Sequence, residues 1–200
     1  MSQQPQQKPR VGDWMATFSG RRFWPYDPRP EDVCIEDIAH HLSLINRFLG
    51  ATRTAYNVAE HSYWVSYFCD PRDAIEGLFH DGHEAYSGDW ISPLKHNELF
   101  DPLRLVQAQI QVAICQAFGI RPSEPASVKR ADHLLFQLEA KQLMQPERFV
   151  RGAARDDLWH TYQPEKLRDT PLANFAIPVW DAPFAEKKFL QRFHELDSQR

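Results

Sequence analysis

What most constrains this chain is a series of apolar stripes at helical spacing, most of them bounded by a start or stop signal. Ile35, Ile38, Leu42, Ile45 and Leu49 recur at i, i+3 and i+4, and Gly50 stands where a helix over that stretch would end. Val58, His61, Val65 and Phe68 form a second stripe, beginning near Asn57. Asp70-Pro71 reads as an N-cap followed by proline at the first helical position, opening a helix through Leu78, Phe79 and His80. Asp101-Pro102 repeats that signature before Leu103, Val106, Ile110, Ile114 and a stop at Gly119. Ser127 or a neighbour precedes Val128, Ala131, Leu135, Leu138 and Leu143, and a last stripe (Phe184, Phe189, Leu190, Phe193) spans Ala182 to Leu196.

The last third of the chain is loop-rich until Ala182, and residues 14–26 also depart from this period. They alternate around Ser19-Gly20 and predict a short β-hairpin, followed by a loop at Asp27-Pro28-Arg29-Pro30. The expected fold is therefore all-α, a mainly helical bundle with a small N-terminal β-hairpin. Residues 13–200 form one domain in this reading and residues 1–12 a flexible tail. At 200 residues, with 42% hydrophobic and 25% charged side chains, the chain can bury about 70% of its unfolded surface without disulfides. No apolar run approaches the ~18 residues of a membrane span, and the Gln-rich start lacks the apolar segment of a signal peptide. A cytoplasmic protein with no membrane partner is expected. Net charge is −4, from 23 Lys and Arg against 27 Asp and Glu, with no basic run to follow a phosphate backbone, so no nucleic-acid polymer is expected as partner. Cys34, Cys69 and Cys115 are odd in number and lack a C-x-x-C, and read as buried thiols in a reducing compartment.

Chemistry enters through polar residues on apolar faces. His61 lies between Val58 and Val65, and Asp132 follows Ala131 and precedes Leu135 by three, so both point to the core side of their helices. A buried carboxylate needs a counter-charge, several donors or a metal. Between them the chain offers His80 and Asp81 side by side, with Glu84 one turn beyond His80. The His-Asp dipeptide means little alone, since 9 His and 15 Asp in 200 residues give roughly 0.7 such pairs by chance. His61 alone reads as a satisfied core histidine, and Asp132 alone as the partner of an arginine. The joint pattern is the signal: imidazole and carboxylate together suit Mn, Fe, Co, Ni or Zn, and two of each leave positions open for water and substrate. His80, His83 and Glu84 form H-x-x-H-E, which matches no zinc-protease motif, and there is no G-x-S-x-G serine elbow.

The ordered set His61, His80-Asp81, Asp132 resembles the metal signature of the HD-domain phosphohydrolase superfamily. Val58-Ala59-Glu60-His61-Ser62, the run from His80 through Glu84 to Gly88-Asp89, Pro93-Leu94-Lys95 and Lys129-Arg130-Ala131-Asp132 are similar to the small bacterial nucleotidases of that group. Thr17-Phe18-Ser19-Gly20, Asp37-Ile38-Ala39 and Arg47-Phe48 point to its YfdR-like, often prophage-borne branch. The likeness spans about residues 14 to 195. It implies His61, His80, Asp81 and Asp132 as ligands of one divalent ion (Co, Mn, Zn, Fe or Ni, with Mg admitted). Glu84 and Asp89 would be the catalytic acids, Arg47 would hold a phosphate, and Phe48 would underlie the sugar in place of a tryptophan. Lys95 and Lys129 match positions that grip phosphate oxygens. Ala85 after Glu84 counts against alarmone hydrolysis, and the Gly-Tyr-Pro signature of cyclic-dinucleotide phosphodiesterases is absent.

The expected activity is metal-dependent hydrolysis of (deoxy)nucleoside 5′-monophosphates to nucleoside and phosphate. Triphosphate hydrolysis of deoxynucleoside triphosphates at the same site is the alternative, and a catalytically silent nucleotide-binding regulatory module is the alternative of another class. The partner is a small nucleotide, and a homo-oligomer is admitted. His83, His96 and His133 read as surface, packing or supporting groups, and Trp24, Trp64 and Trp90 as core or rim aromatics.

Overall fold

In the computed structural model, which describes residues 8–144 and 162–200, the apolar stripes become packed helices and the fold is mainly all-α. The hairpin pairs β1 (Met15–Ala16) with β2 (Arg22–Phe23), Met15 opposite Phe23. Its turn contains Gly20 at φ +81°, a conformation that suits glycine. Ser19 donates its backbone N–H (2.6 Å) and its hydroxyl (2.8 Å) to the buried carboxylate of Asp37, fastening the turn to α1 (Ile35–Leu44). His41 of α1 accepts from Phe18 N–H at Nε2 (3.2 Å) and donates through Nδ1 to Ala85 O (2.8 Å). Hairpin, α1 and the segment carrying Glu84 are thus pinned together.

The first stripe is shorter than its periodicity predicts. Helix α1 stops at Leu44 and does not run to Gly50. Asn46 forms a β-bridge with Asn57, Arg47 N–H donates to Tyr56 O (2.9 Å), and Val58 N–H to Ile45 O (3.0 Å). These bonds draw the chain out of the helix. Phe48 (φ 57°, ψ 28°) and Leu49 (φ 51°, ψ 31°) are left-handed, with Gly50 continuing at φ +77°. Leu49 is accordingly 63% exposed and no part of the stripe. Two consecutive non-glycine residues in this region cost on the order of 1–3 kcal/mol each and persist only where surrounding contacts enforce them.

Helix α2 (Val58–Phe68) starts at Asn57, whose side chain accepts from Glu60 N–H. Asp70 accepts from Arg72 N–H and opens a 3₁₀ turn leading into α3 (Ala74–Phe79). Short helices α4 (Glu84–Ser87) and α5 (Ser92–Lys95) follow, then α6 (Asp101–Phe118), which ends at left-handed Gly119. Asp101 is not the cap its pairing with Pro102 suggests. It lies inside the first turn, ion-paired with Arg104, and Asn97 caps the preceding 3₁₀ turn.

Helix α2 packs on α3, α7 (Ala126–Leu143) and α8 (Ala182–Asp197), and α1 packs on α8, α2 and α4. Ile38, Leu42, Leu78, Phe79, Ile110, Ile114, Leu135, Leu138 and Phe189 fill the core. At Gly77 the α2–α3 contact has no room for a side chain: a Cβ would lie 3.0 Å from both Ser66 Cα and Cys69 Sγ. Arg121 bonds Glu76 (2.6 Å) and Asp73 (2.7 Å), and Ser127 donates to Asp73, which moors the start of α7 to α3. Arg10, assigned above to a tail, pairs with Asp32 through two bonds (2.6 and 2.7 Å) and lies over Trp24. Residues 1–7 of that tail and residues 145–161 lie outside the described residues. The three cysteines are free and buried. No helix among the described residues is long and apolar enough to cross a membrane.

Candidate metal centre

His61 sits in the middle of α2, fully buried, because its position on the apolar stripe gives it no route to solvent. The close approach permitted by Gly77 brings the end of α3 against it. There the helix gives way to the turn His80-Asp81-Gly82-His83, in which Gly82 N–H donates to Phe79 O (2.9 Å) and Glu84 N–H to Asp81 O (3.0 Å). His80 Nε2 lies 3.2 Å from His61 Nε2 and 3.2 Å from Asp81 Oδ2, which is 3.7 Å from His61 Nε2. Ligand atoms of His61, His80 and Asp81 all fall within 4.8 Å of one another. Asp132 on α7 adds Oδ1 at 3.1 Å from His61 Nε2 and 3.9 Å from His80 Nε2. Atoms that share an ion at about 2.0–2.2 Å stand about 3–3.5 Å apart; three of these separations fall in that range and two are longer, so His61, His80 and Asp81 are the group that could share a cation, with Asp132 at its edge.

The donor set agrees. His80 Nδ1 faces Gly77 O (2.8 Å), an oxygen that only accepts, so the ring proton sits on Nδ1. His61 Nδ1 faces Glu139 Oε1 (2.6 Å), to which Tyr56 O–H (2.9 Å) also donates, while Arg47 Nε–H donates to Glu139 Oε2 (3.2 Å). With both ring protons committed outward, the two Nε2 lone pairs converge with carboxylate oxygens on one point. Without an ion the same oxygens hold a second proton on His80, at the nitrogen an ion would take: burial opposes positive charge there, yet Asp81 and Asp132 outweigh it and raise the His80 pKa to about 10. Asp132 is also penalised by burial, but the hydrogen bond and charge of His61 hold its carboxyl at about 2. Such a field attracts positive charge.

Asp132 does not enter the core as its apolar neighbours suggest; its side chain is 40% exposed. It stands on the core-facing side of α7 but at the rim, where one carboxylate edge meets solvent.

A second cluster adjoins the first. Glu84 opens α4, and Gly88 (φ +81°) turns the chain so that Asp89 and α5 return toward it. Lys95 Nζ donates to Glu84 Oε1 (2.8 Å) and Asp89 Oδ1 (3.4 Å). Glu84 is almost fully buried and its Oε2 has no partner among the described residues. Burial, then the charge of Asp81, push its carboxyl well above the usual range, against the pull of Lys95. Burial likewise depresses His83 to about 4, and its Nδ1 is buried without a partner among the described residues.

The remaining expected residues divide. Arg47 is buried and joins the centre, donating to Glu139 and through one terminal nitrogen to Asp81 Oδ2 (3.4 Å). Its guanidinium lies over Phe48 (5.2 Å), whose ring is 6.2 Å from that of Phe136. Lys129 stays apart: its side chain is 65% exposed, with Glu124 at 3.7 Å. His96 is exposed and bonds back to Ser92 O, His133 meets Gln137, and Trp90 donates to Ser87 O. Sequence reading missed Glu139 and Tyr56. Glu139 carried a usable signal, since it falls seven residues after Asp132 and on the same helical face.

Two imidazoles and a carboxylate gathered by α2 and the turn after α3, with Asp132 of α7 beside them, give this all-α protein a candidate metal site. The chain is 31% identical over 188 residues to "Uncharacterized protein YfdR" of Escherichia coli (strain K12), covering 94% of this chain and 97% of that protein. It therefore belongs to the YfdR family. An uncharacterized protein of Rhodobacter capsulatus is 36% identical over 149 residues, 65% of this chain and 72% of that one. No protein-family model matches the chain.

Proposed function

We propose that this protein is an HD-type phosphohydrolase that cleaves nucleoside 5′-monophosphates, deoxynucleotides foremost, with one divalent transition-metal ion held by His61, His80, Asp81 and Asp132. The observation that carries the reading is the convergence of these four side chains beside a buried, partly unpartnered Glu84. A divalent ion there supplies Lewis acidity, lowering the pKa of a water molecule and polarising a phosphoryl oxygen.

The chain's own residues do the rest. Glu84, kept protonated to higher pH by burial, holds a proton for the departing sugar oxygen, and Asp89 orients the attacking water or accepts its proton. Lys95, already anchored between them, faces charge that develops on the phosphoryl group. Arg47 has five N–H donors, of which the two bonds to Glu139 and Asp81 use two; the others suit a phosphate oxygen.

Of the three basic residues expected at the site, Arg47 and Lys95 are drawn toward it, whereas Lys129 turns to solvent. Two cations suit a single phosphate better than three, which favours monophosphates over triphosphates. A silent regulatory module would have no use for an orphaned acid beside a complete ligand set. The test is a panel of nucleoside mono- and triphosphates with Mn, Co, Zn or Mg, identifying the phosphate species released. Orthophosphate from monophosphates is expected. Release of triphosphate, or no turnover with any ion, contradicts the proposal.

A further inference from the structure

Glu139 is fully buried, lies on none of the segments that supply a ligand except α7, and accepts from three donors at once. Two of those donors matter beyond packing. His61 Nδ1–H shares Oε1 with Tyr56 O–H, and Arg47 Nε–H occupies Oε2 while the same guanidinium reaches Asp81. One carboxylate therefore touches the groups behind two ligands, His61 directly and Asp81 through Arg47.

We propose that Glu139 is a positioning residue of the metal centre: it fixes the ring proton of His61 on Nδ1, which frees Nε2 for the ion, and holds Arg47 against Asp81. The inference rests on the four-ligand reading above. Its logic is that of a metal-ligating histidine whose second nitrogen donates to a carboxylate, an arrangement that fixes the tautomer and raises ligand basicity. No other group among the described residues takes this place at His61 Nδ1, and the ring's other nitrogen faces the cluster.

The choice of variant follows from donors and acceptors. Glutamine keeps the volume of Glu139 but offers one acceptor and one donor. With its oxygen toward His61 and Tyr56, its NH₂ confronts Arg47 Nε–H. With its NH₂ toward His61, the ring must carry its proton on Nε2, the nitrogen that faces the ion. Either orientation breaks one of the two tethers.

The experiment measures Zn affinity by competition with a chelating dye, and the His61 Nδ1–H proton by NMR in the zinc-loaded protein. Wild type should bind one ion and show a downfield, slowly exchanging Nδ1–H. Glu139→Gln should bind about 10- to 100-fold more weakly and lose or shift that resonance, with helical content unchanged. Should Glu139→Gln fail to fold, Glu139→Asp serves: it retains the charge, withdraws the oxygens from His61, and should weaken affinity and shift the same resonance. Wild-type affinity together with an unmoved resonance in whichever variant folds overturns the role of Glu139. Absence of zinc binding by the wild type would instead overturn the ligand set on which it rests.

Discussion

Around His61 the imidazole nitrogen turned from the cluster has a carboxylate partner, and that carboxylate has two further donors. A few residues away, Glu84 Oε2 and His83 Nδ1 are buried with no partner among the described residues. The carboxylate behind His61 is thus saturated, although the neighbouring Ser62 Oγ is itself buried without a partner among the described residues, whereas Glu84 keeps one oxygen unpaired. Buried polar atoms are nearly always paired, because an orphan costs about 1–3 kcal/mol. A saturated network holds ligand atoms in place. An unsatisfied one keeps capacity for a proton, a water or a substrate oxygen. On the proposed reading, the His61 side holds the ion and the Glu84 side does the chemistry.

The largest effect that can break this division is expected at Glu84. Glu84→Gln should leave the metal affinity within about twofold and slow turnover by ~10² or more if the residue serves in proton transfer. The pH profile provides a second check. A carboxyl whose pKa is raised retains its proton to higher pH, so the rate of the wild type falls as pH rises through that pKa, and this limb should vanish in the variant. Wild-type rates would remove Glu84 from the chemistry. Metal loss in the variant would merge the two flanks into one.

A smaller effect sharpens the other side. Gly77→Ala places a Cβ 3.0 Å from Ser66 Cα, backbone that cannot swing away, so α3 must move off α2. Overpacking of this kind costs about 1–3 kcal/mol, read as a lower denaturant midpoint. Because Gly77 O also anchors His80 Nδ1, metal affinity should fall alongside stability. Unchanged affinity would mean that the α2–α3 approach does not position His80.

Much of this was legible in the sequence because it rests on local rules. The hairpin follows from alternation about Ser19-Gly20, the start of α2 from Asn57, and the four candidate ligands from polar residues at core positions or beside one another. What was not legible depends on contacts distant in sequence. Helix α1 ends early because residues 45–47 pair with 56–58, a competition that periodicity does not register. Asp132 and Lys129 share a helix, yet their exposure is set by how α7 is moored through Ser127 and Arg121 to α3. Glu139 looked like one charge among many until Tyr56, His61 and Arg47 surrounded it.

Titration of metal-free protein with Co²⁺, followed by visible absorption and by ion content after desalting, tests the ligand set most directly. One ion per chain in the wild type, and none retained by Asp132→Ala or His80→Ala variants that keep their helical content, is the predicted result. A wild type that retains no ion, or variants that retain it as tightly, would contradict the convergence of these four side chains on one cation.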